Sequence, residues 1–380
     1  MNRVAVLGAG QTHHASKRTD VSIAGLVREA IERALADARL EPADLDAVVL
    51  GTAPDFFEGI MQPEQWLAGA LGAVGKPLIR MHTAGSVGGS TAVAAAAHVG
   101  SGLFERVLAI AFEKHSESDA LWGLSPRSPF GRAFGAGAGA FFAPACRLYM
   151  ERTGAPPEIG PRLAVKARAN ALRNPYAHVR KATTLDEVLD SPMLWDPLRR
   201  LECCPTSDGA AAMVLGSERA ARGRTDAAWV RGAAAMAEAA EIPGRDLGDP
   251  DVGRACAAHV YRQAGIADPA RELDVAEIYE PFSWIEAMWY ENLGFAESGW
   301  RFFDEGATEP GGALPVNPSG GVLCTNPIGA SGMIRMVEAA QHVRGRIDGG
   351  HQVDGARLAL GHAYGGASNY VAMMVFGSEP

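Results

Sequence analysis

One order of elements occurs twice in the chain, and that repetition constrains the fold more than any other feature. In the first half a helical stretch precedes "DLDAVVLGTA" (44–53). A glycine corner then opens a helix in "GSVGGSTAVAAAAHVGSG" (85–102), and the strand "RVLAIAFEKH" (106–115) follows. In the second half a helix at about 250–265 precedes "ELDVAEIYEP" (272–281). The corner and helix recur in "NPIGASGMIRMVEAAQHVRG" (326–345), and "RLALGHAYGG" (357–366) closes the set. Both corner helices end near a His-Val pair. A duplicated helix–strand–corner–helix–strand unit predicts an α/β protein of two halves, each with a mixed sheet. At 380 residues the chain is too long for one simple core, which agrees with two halves. The halves are placed at 1–230 and 231–380. The first carries a long irregular insertion, 113–205, of the size that forms lids or binding loops.

Local signals fill in this frame. "RVAVL" (3–7) reads as a buried strand. The "GAGQT" after it is a partial glycine fingerprint, but a dinucleotide site wants a third glycine opening a helix, and His13-His14 stand there instead. The glycines therefore read as turn residues. Residues 20–37 form an amphipathic helix that Asp20 can cap, with Ile23, Leu26, Val27, Ala30, Ile31 and Ala34 at helical spacing. A formal charge of −9 argues against a nucleic-acid partner. No apolar run approaches the ~20 residues that span a bilayer, and no charged segment with an apolar run precedes the first strand. Five cysteines, an odd count without paired metal spacing, suit the reduced thiols of a cytoplasm. Cys203 and Cys204 are adjacent and read as buried thiols. Glu113, His115 and Glu117 alternate, but nothing else suggests a metal, and none is expected.

Paired α/β halves bring their loops to a shared crevice. Four loops would meet there: 82–89, 279–283, 324–332 and 361–366. They hold His82, Ser86, Tyr279, Glu280, Asn326, His362 and Tyr364 beside glycines that let backbone approach a ligand closely.

At these residues the sequence resembles the thiolase superfamily, above all its sterol-carrier-protein branch, over nearly the full chain. The branch's nucleophile corner, Cys-Ala-Thr-Gly-Ser-Thr-Ala-Leu, aligns without a gap on Ser86-Val87-Gly88-Gly89-Ser90-Thr91-Ala92-Val93. Its Asn-Glu-Ala-Phe or His-Asp-Cys-Phe motif corresponds to Tyr279-Glu280-Pro281-Phe282. "VNPSGGVLCTNPIGASG" (316–332) looks like the Asn-x-x-Gly-Gly stretch followed by Gly-His-Pro-x-Gly-Ala-Ser-Gly, and Asn326 stands where the histidine would be. The closing Cys-x-Gly-Gly-Gly falls on His362-Ala363-Tyr364-Gly365-Gly366. The nucleophilic Cys, the activating His and the second Cys have thus become Ser86, Asn326 and His362.

These departures bear on chemistry. A serine hydroxyl needs a base in contact, and Asn326 cannot accept a proton, so Ser86 reads as a small residue capping a helix at a tight corner. Asn326 admits two readings: a donor to an enolate oxygen, or a turn former before Pro327. His362 reads as a base with a pKa near neutrality. Tyr279 and Tyr364 can exchange protons if a neighbour tunes them. The basic segment 166–182, with Lys166, Arg168, Arg173, Arg180 and Lys181, can hold coenzyme A phosphates or form a solvated helix face. By resemblance Gly332 also lies beside the coenzyme. The resemblance implies a duplicated thiolase-like fold acting on acyl-CoA thioesters, with coenzyme A entering as part of the substrate and no bound cofactor. Nucleophile-less relatives act as retro-aldolases on steroid side-chain CoA thioesters, paired with a small OB-fold protein. Retro-aldol cleavage of a 3-hydroxyacyl-CoA is therefore expected, with a homodimer and an OB-fold partner. An acyltransferase and a non-catalytic acyl-CoA or lipid carrier are the alternatives.

Overall fold

Alternate residues of the strand Arg106–Lys114 enter two different cores. Val107, Ala109 and Ala111 pack on one side, and Leu108, Ile110 and Phe112 on the other. A strand apolar on both faces belongs in the middle of a layered α/β structure. The computed structural model describes residues 2–53, 62–118, 137–239 and 244–380. Its strands are β1 (Val4–Gln11), β2 (Ala47–Thr52), β3 (Leu78–Met81), β4 (Arg106–Lys114), β5 (Met193–Trp195), β6 (Leu198–Arg199), β7 (Asp208–Ser217), β8 (Ala228–Ala237), β9 (Val275–Glu277), β10 (Leu358–Gly365) and β11 (Tyr370–Gly377). The longer helices are α1 (Ile23–Ala38), α2 (Val87–Gly100), α3 (Gly137–Thr153), α4 (Ile159–Ala171), α5 (Asp251–Ala264), α6 (Ser283–Asn292) and α7 (Ile328–Arg344).

The duplication is visible in the pairing. Nine strands follow the order β3-β2-β4-β7-β1-β8-β11-β10-β9, and β5 and β6 form a separate pair. From β1 outward the neighbours run antiparallel, antiparallel, parallel, through β7, β4 and β2. From β8 outward they run the same way, through β11, β10 and β9. β3 extends the first half, and Val316 makes a lone parallel bridge to Ala276 at the matching place in the second. The two mixed sheets are joined edge to edge, because β1 and β8 pair at Ala5–Trp229 and Val6–Ala228. A boundary between 230 and 231 falls inside β8. No helix among the described residues is long and apolar enough to cross a membrane.

Glycines set the helix positions. The "GAG" segment is not a turn but part of β1. A Cβ on Gly8 would lie 2.3 Å from the Ala38 nitrogen, and one on Gly10 2.6 Å from the Ala34 nitrogen, so α1 packs directly on bare backbone. The cap of α1 is Ser22, whose Oγ accepts from the Gly25 N–H at 3.1 Å, rather than Asp20, which binds Arg18. The two corner helices cross between the halves. A Cβ on Gly88 would lie 2.4 Å from the Met333 nitrogen, and one on Gly332 2.7 Å from the Gly89 nitrogen. Gly332 is thus a helix-crossing residue.

Candidate active site

The crossing of α2 and α7 brings both glycine corners to the ends of β9 and β10. β10 is extended, so His362 and Tyr364, two residues apart, share one face. A Cβ on Gly85 would lie 3.5 Å from the Tyr279 hydroxyl and 3.2 Å from the Tyr364 carbonyl oxygen, so the Ser86 corner abuts the other two loops. Four of the five residues expected to do chemistry are linked by contact here, and Ser86 stands at their edge.

Ser86 is fully buried, and its hydroxyl donates within its own turn, 2.8 Å from the Thr83 carbonyl and 3.0 Å from Thr83 Oγ1. Among the described residues no imidazole or carboxylate hydrogen-bonds to it, so none of them is the base an attacking serine needs. His82 is exposed, whereas Ser86 is buried. Asn326 is held from four sides. Its Oδ1 accepts from the Tyr279 hydroxyl at 3.3 Å and from Ser331 Oγ at 2.8 Å. Its Nδ2 donates to Cys204 Sγ at 3.1 Å, and its backbone N–H donates to Ser207 Oγ at 3.0 Å. Burial pushes the Cys204 thiol up to about 12, so no thiolate stands at this position.

The tyrosines and His362 form an aromatic cluster. The Tyr279 and Tyr364 rings meet edge to face at 5.3 Å, and Trp289 contacts His362 at 4.6 Å and Tyr364 at 5.0 Å. Three polar atoms of this cluster have no hydrogen-bond partner among the described residues: His362 Nε2, Tyr364 OH and Trp289 Nε1. Buried polar atoms are nearly always paired, so three orphans in one cluster mark a place for a ligand or water. Burial raises both phenols above their ordinary value. His362 is not the near-neutral base expected of it. Its Nδ1 accepts the Tyr279 N–H at 3.3 Å, which leaves the proton on Nε2, and burial lowers its pKa to about 3. Trp289 was not singled out in the sequence, and Cys204 was read only as a buried thiol. One lies within an aromatic helix and the other in a Cys pair, and no spacing marks either as facing a site.

This neutral histidine has a measurable consequence. The unfolded ring takes up a proton near pH 6.5 and the folded one only near 3, so its contribution to stability is complete above 6.5 and is lost as pH falls. Between pH 7 and 5 the wild type should lose about 2 kcal/mol more than a His362→Asn variant, as read by urea unfolding at both values.

The basic segment divides. Lys166 is buried and donates to Glu286 at 2.5 Å, the Tyr290 hydroxyl at 3.1 Å and the Val316 carbonyl at 3.2 Å, so it is not free to meet a phosphate. Arg180 is exposed and donates to the Leu172 carbonyl at 3.3 Å. Arg168 is 5% exposed. Among the described residues one buried group has metal-ligand character, Glu277, Glu338 and His342. Its carboxylates are already paired, Glu277 with Arg335 and Glu338 with His351. Glu113 and His115 instead accept the first N–H groups of α7, from Gly329 at 3.0 Å and Ile328 at 3.1 Å.

Comparison with known proteins agrees with this arrangement. Residues 4–131 match the model for the thiolase N-terminal domain, and residues 233–378 match that for a thiolase C-terminal domain-like unit. The chain is 31% identical to an acetyl-CoA acetyltransferase of Methanothermobacter thermautotrophicus, over 99% of this chain and all of that protein. It is 30% identical to sterol carrier protein 2 of Gallus gallus, over 96% of this chain and 70% of that one. Among solved structures, an Ltp2-ChsH2(DUF35) aldolase superposes with a TM-score of 0.84 at 27% identity, over 99% of this chain and 97% of that chain.

Proposed function

The chain belongs to the thiolase family, whose members act on CoA thioesters, and we propose that it cleaves the Cα–Cβ bond of a 3-hydroxyacyl-CoA by retro-aldol chemistry. One observation carries this reading. At the position of the family's nucleophile the Ser86 hydroxyl is held by Thr83, and no described residue offers it a base, while Tyr279, Asn326 and Tyr364 converge next door. The similarity to an aldolase supports the same choice.

The reaction releases the β-hydroxyl proton, breaks Cα–Cβ to give a carbonyl compound and a thioester enolate, and returns a proton to Cα. The proton count does not change, so neutral phenols can relay it and no lasting charge is needed in a buried aromatic site. Tyr279 and Tyr364, both held protonated by burial, take this role. Asn326 Nδ2 and His362 Nε2–H are the neutral donors for the thioester oxygen as it gains charge. Coenzyme A is part of the substrate, and no separate cofactor belongs to the proposal. A homodimer is part of it. β3 is an edge strand, and Trp66 and Val74, in the segment before it, are 77% and 76% exposed. So is a small OB-fold partner, on the likeness to an aldolase named for two components. The free cysteines suit a cytoplasmic setting.

The test is incubation with a panel of 3-hydroxyacyl-CoAs, followed by product analysis and intact mass. A carbonyl product and a shortened acyl-CoA, without a protein adduct, are expected. A stable acyl adduct on Ser86 or Cys204 would instead make the protein an acyltransferase.

A further inference from the structure

Burying a cation without a counter-charge costs several kcal/mol, so buried lysines and arginines are almost always paired. The described residues follow this rule with one exception. Buried Lys114, Lys166, Arg335 and Arg344 each meet a carboxylate, on Glu117, Glu286, Glu277 and Asp37. Arg168 is also buried, at 5% exposure, and its guanidinium makes neither an ion pair nor a hydrogen bond with any described residue. Glu280 does not fill the role: its Oε1 accepts from the Leu323 N–H at 3.2 Å, and it forms no ion pair with Arg168.

The place of Arg168 says what could fill it. It lies on α4 beside Ala167 and Ala171, which pack against Leu323 and Cys324, two residues before Asn326. Its charge is felt at the thiols of Cys203, Cys204 and Cys324 and at the His178 ring. Each of these borders the reaction centre. Cys204 Sγ accepts from Asn326, and the Cys204 N–H donates to the Pro281 carbonyl at 2.8 Å. His178 Nδ1 is 2.9 Å from Ser207 Oγ, which accepts the Asn326 N–H. The phosphates of coenzyme A lie a whole pantetheine arm away from the thioester and are out of reach of a group at this depth. Exposed Arg173 and Arg180 are better placed for them.

We propose that Arg168 is a specificity residue that receives a carboxylate carried on the acyl chain, so that the substrate class is the CoA monothioesters of dicarboxylic acids. This rests on the reading of the crevice as a CoA thioester site. The bond would be a charge-assisted pair, with the anion supplied by the ligand.

The experiment measures equilibrium binding of succinyl-, glutaryl- and adipyl-CoA, of their methyl esters and of free coenzyme A. For at least one chain length the wild type is expected to prefer the free acid over its ester by about ten- to a hundredfold. Arg168→Gln is expected to abolish that preference while leaving the esters and coenzyme A within a few-fold. Equal binding of acids and esters by the wild type overturns the inference, and this comparison needs no variant. Equal weakening of coenzyme A and every thioester by Arg168→Gln also overturns it, in favour of a phosphate contact. If no CoA species binds at all, the thioester reading falls and the inference with it. If the acids bind selectively but are not cleaved when 3-hydroxylated, the retro-aldol reading falls and Arg168 keeps its role.

Discussion

Tyr279→Phe and Tyr364→Phe should each lower kcat for cleavage of a 3-hydroxyacyl-CoA by about 10²–10⁴-fold, with KM within a few-fold of the wild type. The substitution removes a proton-transferring oxygen and little else. At position 364 the ring contacts with Tyr279, Trp289 and Phe142 remain, and the deleted hydroxyl has no partner, so stability should be unchanged or slightly higher. At position 279 one hydrogen bond, to Asn326 Oδ1 at 3.3 Å, is lost, and a decrease of about 1 kcal/mol is expected. Large kinetic losses with small thermal shifts are the signature of a group that acts in the transition state. Steady-state kinetics beside thermal unfolding checks both. If neither variant alters turnover, the tyrosines only pack, and a carrier function without catalysis gains.

Much of this arrangement is legible in the sequence. The twice-repeated order of elements predicted the halves, because period and glycine corners are properties of the chain itself. Tyr279, Asn326, His362 and Tyr364 were found together because ordered motifs bring loops to one crevice. The protonation of His362 was not legible. It depends on a backbone N–H 83 residues away taking its Nδ1 lone pair and on burial, neither of which the Gly-His-Ala-Tyr-Gly-Gly loop encodes locally. The "GAG" segment was misread for a related reason. Its glycines serve a helix packed on the strand, whereas turn and close-approach glycines look alike in sequence. Trp289 and the contact of Cys204 with Asn326 are not legible, because an aromatic in a buried helix and a thiol in a loop carry no signal of what they face.

The basic segment shows the same limit most sharply, and it yields the last prediction. Lys166 and Arg168 are two residues apart and look equivalent, yet Lys166 meets Glu286, 120 residues on, while Arg168 meets no described carboxylate. Lys166→Met should therefore destabilise the protein by about 3–5 kcal/mol, because it leaves the fully buried Glu286 without its cation. Glu286 keeps only the Tyr290 hydroxyl, at 2.7 Å, which cannot neutralise a carboxylate. Denaturant unfolding at neutral pH measures the loss. The double variant Lys166→Met, Glu286→Leu should recover most of it, since an apolar pair of similar volume removes the unpaired charge. Binding of coenzyme A by the folded single variant should stay within a few-fold of the wild type. A loss of coenzyme affinity without a loss of stability would return Lys166 to the phosphate-binding role that its sequence context suggested.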